Sequence, residues 1–169
     1  MKYYVIQNGT LLKAENKEAL AVYGNVKELP SDYKQGKYIV ENDELVLNPN
    51  YEAEQQAKEQ ERIQELFMSK SDFFDGTIKA FGADKNDLQP AITAILGSLP
   101  ISDIEKKVAL NNFENAQNYY RKHSLFTLLS DVEIPINETL TIKISSKQWD
   151  NFFDETSKGN KESYKELIT

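Results

Sequence analysis

His123 is the one imidazole in 169 residues, and the chain has no cysteine. Those two counts remove most nucleophile and metal chemistry. Without cysteine there is no disulfide, no thiol nucleophile and no thiolate metal site. One histidine cannot form a histidine cluster for zinc. It could still serve a serine triad, but the chain lacks a G-x-S-x-G elbow, a glycine-rich phosphate loop ending in Gly-Lys-Ser/Thr, and H-E-x-x-H. Asp84-Lys85-Asn86-Asp87 opens like a calcium loop and then fails. Counting from Asp84 places Gln89 where the turn glycine belongs and Ile95 where the bidentate glutamate belongs. With 27 acidic side chains, some pair of carboxylates is always close, so a carboxylate-only site leaves no signature.

Arg121-Lys122-His123 is the only concentrated positive charge. At the end of a helix it would complement the negative pole of the dipole; on a surface, Arg121 and Lys122 would serve a partner. Aromatic residues offer the other chemistry. Six of the nine tyrosines (Tyr3, Tyr4, Tyr23, Tyr33, Tyr38 and Tyr51) fall in the first 51 residues. Tyrosine combines apolar area with a polar tip, which suits a recognition surface, but it also stretches the thin core of a small β unit. Phe73, Phe74, Phe81, Trp149, Phe152 and Phe153 lie at helical spacing and read as core. The net charge of −7 is spread along the chain. No segment is a basic patch, which argues against direct nucleic-acid binding.

The elements that carry these residues read as an α+β chain. Residues 1–50 form a small antiparallel β unit of two hairpins. Lys2–Gln7 and Thr10–Ala14 flank Asn8-Gly9, and Lys37–Val40 and Leu45–Leu47 flank Glu41–Glu44. Glu15–Tyr23 reads as a short helix ended by Gly24. Pro49 stops the last strand and Asn50 caps a polar connector helix over residues 51–68, which carries no large apolar side chain from Glu52 to Arg62. It is either a solvated connector or an oligomeric stalk.

Residues 69–130 read as helices with short connections, a compact bundle. Ser71, Asp87 and the Ser102/Glu105 box are their expected caps. The stripe Ile104, Val108, Phe113, Ala116, Tyr120 is the expected buried face of the third helix, and Ser124–Ser130 forms a short fourth. Leu140, Ile142 and Ile144 alternate as in a half-buried strand, or as an extended loop, since no mate is evident. Ser146 then caps a helix carrying Trp149, and Asn160–Thr169 is expected to fray. Residues 69–169 are thus mainly helical with one further strand. The opening MKYYVIQNGT lacks the apolar run of a signal peptide, and no stretch is apolar enough to span a bilayer.

One run of residues resembles a known group. The segment Gly36-Lys37-Tyr38-Ile39-Val40-Glu41-Asn42-Asp43-Glu44-Leu45-Val46-Leu47-Asn48-Pro49 leads into a charged helix and then Met68-Ser69-Lys70-Ser71-Asp72-Phe73-Phe74. Tyr119-Tyr120-Arg121 and Leu125-Phe126 follow. This pattern, over residues 36–130, is similar to small accessory proteins of phage and prophage tail regions. The resemblance implies a non-enzymatic protein without cofactors, working in the host bacterial cytoplasm or the phage particle. It would bind a tail protein as a fibre-associated component or assembly factor, and could form a homo-oligomer. The alternative is a phage-encoded inhibitor of a host defence complex, acting by steric occlusion. In either case the expected contact residues are Tyr3, Tyr4, Tyr23, Tyr33, Tyr38, Arg121 and Lys122.

Overall fold

Asn8 and Gly9 both take positive φ, 50° and 73°, the pair of values that a two-residue hairpin turn requires. They join β1 (Tyr3–Gln7) to β2 (Thr10–Ala14), with Val5 opposite Leu12 and Gln7 opposite Thr10. The computed structural model describes all residues, 1–169, and the chain divides into two units, Met1–Lys58 and Glu59–Thr169. In the first unit a two-residue strand not evident in the sequence, β3 (Lys27–Glu28), pairs with the other side of β1, giving the order β2-β1-β3. The expected short helix is a 3-10 turn at Glu18–Tyr23 that buries Leu20 and ends at Gly24 with φ 135°. A second hairpin joins β4 (Tyr38–Glu41) to β5 (Glu44–Leu47). Its turn residues Asn42 and Asp43 take φ 48° and 59°; short polar side chains tolerate this region better than most.

The connector helix α1 spans Tyr51–Gln64 and crosses the division between the units. Its start is organised by Asn48 rather than Asn50. The Asn48 side chain accepts from the Asn50 N–H at 2.9 Å and donates to the Gly36 carbonyl at 3.0 Å. The helix does not reach residue 68. After Gln64 the chain straightens into β6 (Phe67–Ser69), which pairs antiparallel with β7 (Asn118–Tyr120) and sets Met68 opposite Tyr119. Both of those side chains are buried, whereas Phe67 on the opposite face is exposed.

Helix α2 (Lys70–Phe81) is capped by Ser69, not Ser71: the Ser69 Oγ accepts from the Asp72 N–H at 3.0 Å. It stops at Gly82, whose φ of 72° turns the chain. Helix α3 (Lys85–Ser98) begins on a capping box in which Asp84 is the cap and Asp87 its reciprocal partner. Helix α4 (Asp103–Asn115) carries the expected Ser102/Glu105 box. Its buried face matches the expected one only in part. Phe113 is buried as expected, but Ile104 and Val108 are 75% and 48% exposed, and Ala109 points inward instead. The small alanine lets α4 sit close to its neighbours, and a reading weighted to large side chains passes over it.

Helix α5 (Ser124–Leu129) buries Leu125, Phe126 and Leu129. The alternating segment is a strand and has a mate. β8 (Glu133–Pro135) pairs with β9 (Thr141–Lys143), bringing the buried Ile134 and Ile142 together. Helix α6 (Ser146–Ser157) starts from a Ser145/Gln148 capping box, one residue before the expected cap. The C-terminal segment is not frayed: Ser163–Leu167 forms a 3-10 turn and Leu167 is 1% exposed.

Aromatic rings fill the centre of this second unit. Phe73 stacks on Trp149 at 6.0 Å and meets Tyr119 edge-on at 4.8 Å, while Phe126 packs edge-on against Trp149 and Phe153. Each such pair contributes about 0.5–1.5 kcal/mol beyond its buried area. The Tyr119 hydroxyl donates to the Phe113 carbonyl at 2.6 Å, so this polar tip is buried without loss. Burial holds its phenol well above the ordinary tyrosine range.

Candidate functional site

The first unit is thinly filled. Of its residues only three apolar side chains are buried (Tyr4, Val5 and Leu20), against 21 in the second unit. Short hairpins with so little apolar contact are marginal on their own. Val22 and Tyr23, at the end of the 3-10 turn, are 82% and 46% exposed, and Leu47 on β5 is exposed as well.

Two of the tyrosines singled out in the sequence come together. Tyr33 and Tyr38 stack with centroids 5.8 Å apart and planes 22° from parallel, both half-buried. The Tyr33 hydroxyl accepts from the Lys13 ammonium at 3.1 Å, and the Tyr38 hydroxyl donates to Asp32 at 2.7 Å. Lys37 forms an ion pair with the same carboxylate. Lys37 first, and then Tyr38, hold the Asp32 carboxyl below the ordinary range; the same hydrogen bond raises the Tyr38 phenol. The result is a stacked aromatic pair whose polar edges are already fixed by neighbours. The other tyrosines lie apart from it in role. Tyr3 is half-buried on β1, Tyr4 is buried in the small core, and Tyr23 is exposed.

The basic cluster takes a different place from the expected one. Helix α4 ends at Asn115, so Arg121 follows β7 and does not complement a helix pole. It is 2% exposed. Its Nε donates to Asp150 at 2.7 Å, and its Nη2 donates to the Ser146 Oγ at 2.7 Å and to the Ser146 carbonyl at 3.2 Å. Arg121 therefore ties the end of β7 to the first turns of α6 and offers no surface to a partner. Lys122 is exposed, pairs with Glu65 at 2.9 Å, and lies 5.9 Å from the centre of the Tyr120 ring. His123 packs against Tyr120 at 5.4 Å, and its Nδ1 is buried with no hydrogen-bond partner. Burial, with Lys122 adding to it, holds the imidazole below its ordinary value.

Sequence reading missed one exposed aromatic feature. Phe67 and Tyr120 are cross-strand partners on the outer face of β6 and β7, with ring centroids 5.4 Å apart. The alternation Phe67-Met68 against Tyr119-Tyr120 carried the signal, once the segment after α1 is recognised as a strand.

No group of three His, Asp or Glu side chains is placed to hold a metal ion. Asp32, Glu59, Glu105 and Glu162 all sit below the ordinary carboxylate range. Each is held there by a hydrogen bond, from Lys37, Arg62, Ser102 and Lys165 respectively. A carboxyl tuned for general-acid work is displaced in the opposite direction. A polar cleft of about 360 Å³ lies between α2 and the C-terminal segment, lined by Asp72, Asp75, Lys79, Lys161 and Ser163 among others. Its acids and lysines are surface groups. No helix of the chain is long and apolar enough to cross a membrane.

Comparison of the chain with protein-family profiles, curated proteins and solved structures gives no match.

Proposed function

We propose that this chain is a non-enzymatic accessory protein of a phage or prophage tail, and that it works by binding another protein through residues 1–58. In that role it is a fibre-associated component or an assembly factor. The observation that carries the reading is the imbalance between the units. The second unit holds a full aromatic core, while the first has three buried apolar side chains and leaves Val22, Tyr23 and Leu47 in water. A segment so short of internal contacts gains most from burying its surface against something else. The Tyr33–Tyr38 stack supplies rigid, amphipathic area at low entropic cost, which suits an interface centre. The tail context comes from the pattern at Gly36–Pro49 and Met68–Phe74.

Six lysines (Lys2, Lys13, Lys17, Lys27, Lys34 and Lys37) lie within residues 1–50 and make the reading testable by cross-linking and mass spectrometry in the bacterium that encodes the chain. Cross-links from these lysines into a tail protein support it. Cross-links into a host nuclease favour the defence inhibitor instead. Cross-links confined to the chain itself sink both.

A further inference from the structure

Strand β2 is an unguarded edge. Gln7 and Thr10 flank the two-residue turn of the β1–β2 hairpin, and in such hairpins that pair exchanges both backbone hydrogen bonds. Thr10, Leu12 and Ala14 therefore turn their backbone groups toward β1, and Leu11 and Lys13 turn theirs away. Just ahead of β1, Lys2 bonds to both neighbours of that strand: its carbonyl accepts from the Leu29 N–H at 2.7 Å, and its N–H donates to the Ala14 carbonyl at 3.1 Å. Nothing pairs with the far side of β2, and the Leu11 and Lys13 backbone groups bond to no other segment.

Proteins usually protect such an edge with proline, a bulge or a projecting charge. β2 has no proline, and its register with β1 runs unbroken from Thr10 to Ala14. Its one ionised side chain, Lys13, has its ammonium tied to the Tyr33 hydroxyl. Leu11 and Leu12 are both half-buried.

We infer that this edge pairs with β2 of a second copy, antiparallel about a two-fold axis at Leu12. This rests on the reading of residues 1–58 as the binding unit and names one of its partners. The strand is self-complementary in that register. Leu12 is its midpoint, so residues 10–14 overlap in full, and the outward groups of Leu11 meet those of Lys13 in the other copy. On one face an apolar row then crosses the joined sheets, Val5 and Leu12 from one copy against Leu12 and Val5 from the other. Charge favours this register over its neighbour: each Lys13 faces a Leu11, whereas an axis at residue 13 would oppose two lysines directly. A strand of five residues, about 17 Å long, buries well under the roughly 1,200 Å² of a stable interface. The association is weak and concentration-dependent.

Light scattering of the full chain across about 10 μM to about 1 mM reads it directly, that being the range for a small interface. The mass rises toward ~2-fold in the wild type. Leu11→Pro abolishes the rise, because proline removes an outward N–H and leaves the hairpin's own bonds in place. Leu12→Lys abolishes it by opposing two charges at the axis, and mixing Leu12→Lys with Leu12→Glu restores it, which no folding defect could do. A wild type that stays monomeric across the series, or a dimer that survives both Leu11→Pro and Leu12→Lys, overturns the inference. The cross-linking result for a tail protein would stand in either case, so the two failures are separable.

Discussion

Arg121 Nε donates to Asp150 Oδ1 at 2.7 Å from a side chain that is 3% exposed, and the two residues come from different elements. With its bonds to Ser146, the guanidinium closes β7 onto α6. Removing one member of a buried pair strands the other, at a cost of about 3–5 kcal/mol. Asp150→Ala should therefore destabilise the chain by about 3 kcal/mol in urea titration. Arg121→Met combined with Asp150→Leu should cost far less than either single truncation. Equal, additive losses would mean that the pair is solvated and unimportant.

Gly76 lies in the middle of α2, where glycine is a poor helix former. The reason is steric: an added Cβ would stand 2.4 Å from the Phe152 Cζ. Gly76→Ala should improve helix propensity by about 1 kcal/mol yet lower overall stability by about 1–3 kcal/mol, because Phe152 must leave its place in the core. Pairing it with Phe152→Leu should recover part of the loss. A Gly76→Ala chain that melts above the wild type contradicts this packing.

His123 predicts a pH dependence with a definite sign. Its folded-state pKa lies below the ordinary histidine value, through burial first and Lys122 second. The unfolded chain then binds the proton more readily, so the associated stability is present above about pH 6.5 and falls as pH drops toward the lower folded value. Beside it stand the Lys122 charge, itself paired with Glu65, and the start of α5, which follows His123 directly. Urea midpoints measured from pH 7.5 to pH 5 should fall for the wild type and stay flatter for His123→Asn. Parallel curves for the two chains would remove His123 from the account.

Much of this architecture was legible because single residues dictate it. Asn8-Gly9 fixes a turn through two positive φ values, and Ser102 with Glu105 marks a helix start, wherever the rest of the chain goes. The misplaced features depend on distant partners. Arg121 lies 29 residues from Asp150 in sequence, and nothing local indicates that it is buried. On α4, Phe113 turns inward as its size suggests, but Ala109 carries little hydrophobic signal while the outward Ile104 and Val108 carry much. The Ser69–Asp72 cap was readable, since the spacing is that of a capping pair, but Ser71 stood nearer the first phenylalanine. Of the tyrosines, Tyr33 and Tyr38 form a half-buried stack and Tyr23 is exposed, while Tyr4 went to the core, as the thinness of the β unit requires.

Hydrogen exchange by mass spectrometry on the chain alone, at low micromolar concentration, tests the central claim that residues 1–58 lack a complete core and await a partner. The account predicts two tiers. Amides of β1, β2, β4 and β5 should exchange through low-energy local opening, and those of α2, α3 and α6 only near the global unfolding limit. Uniform protection across both units would contradict it, because a first unit as stable as the second would have no need of another protein.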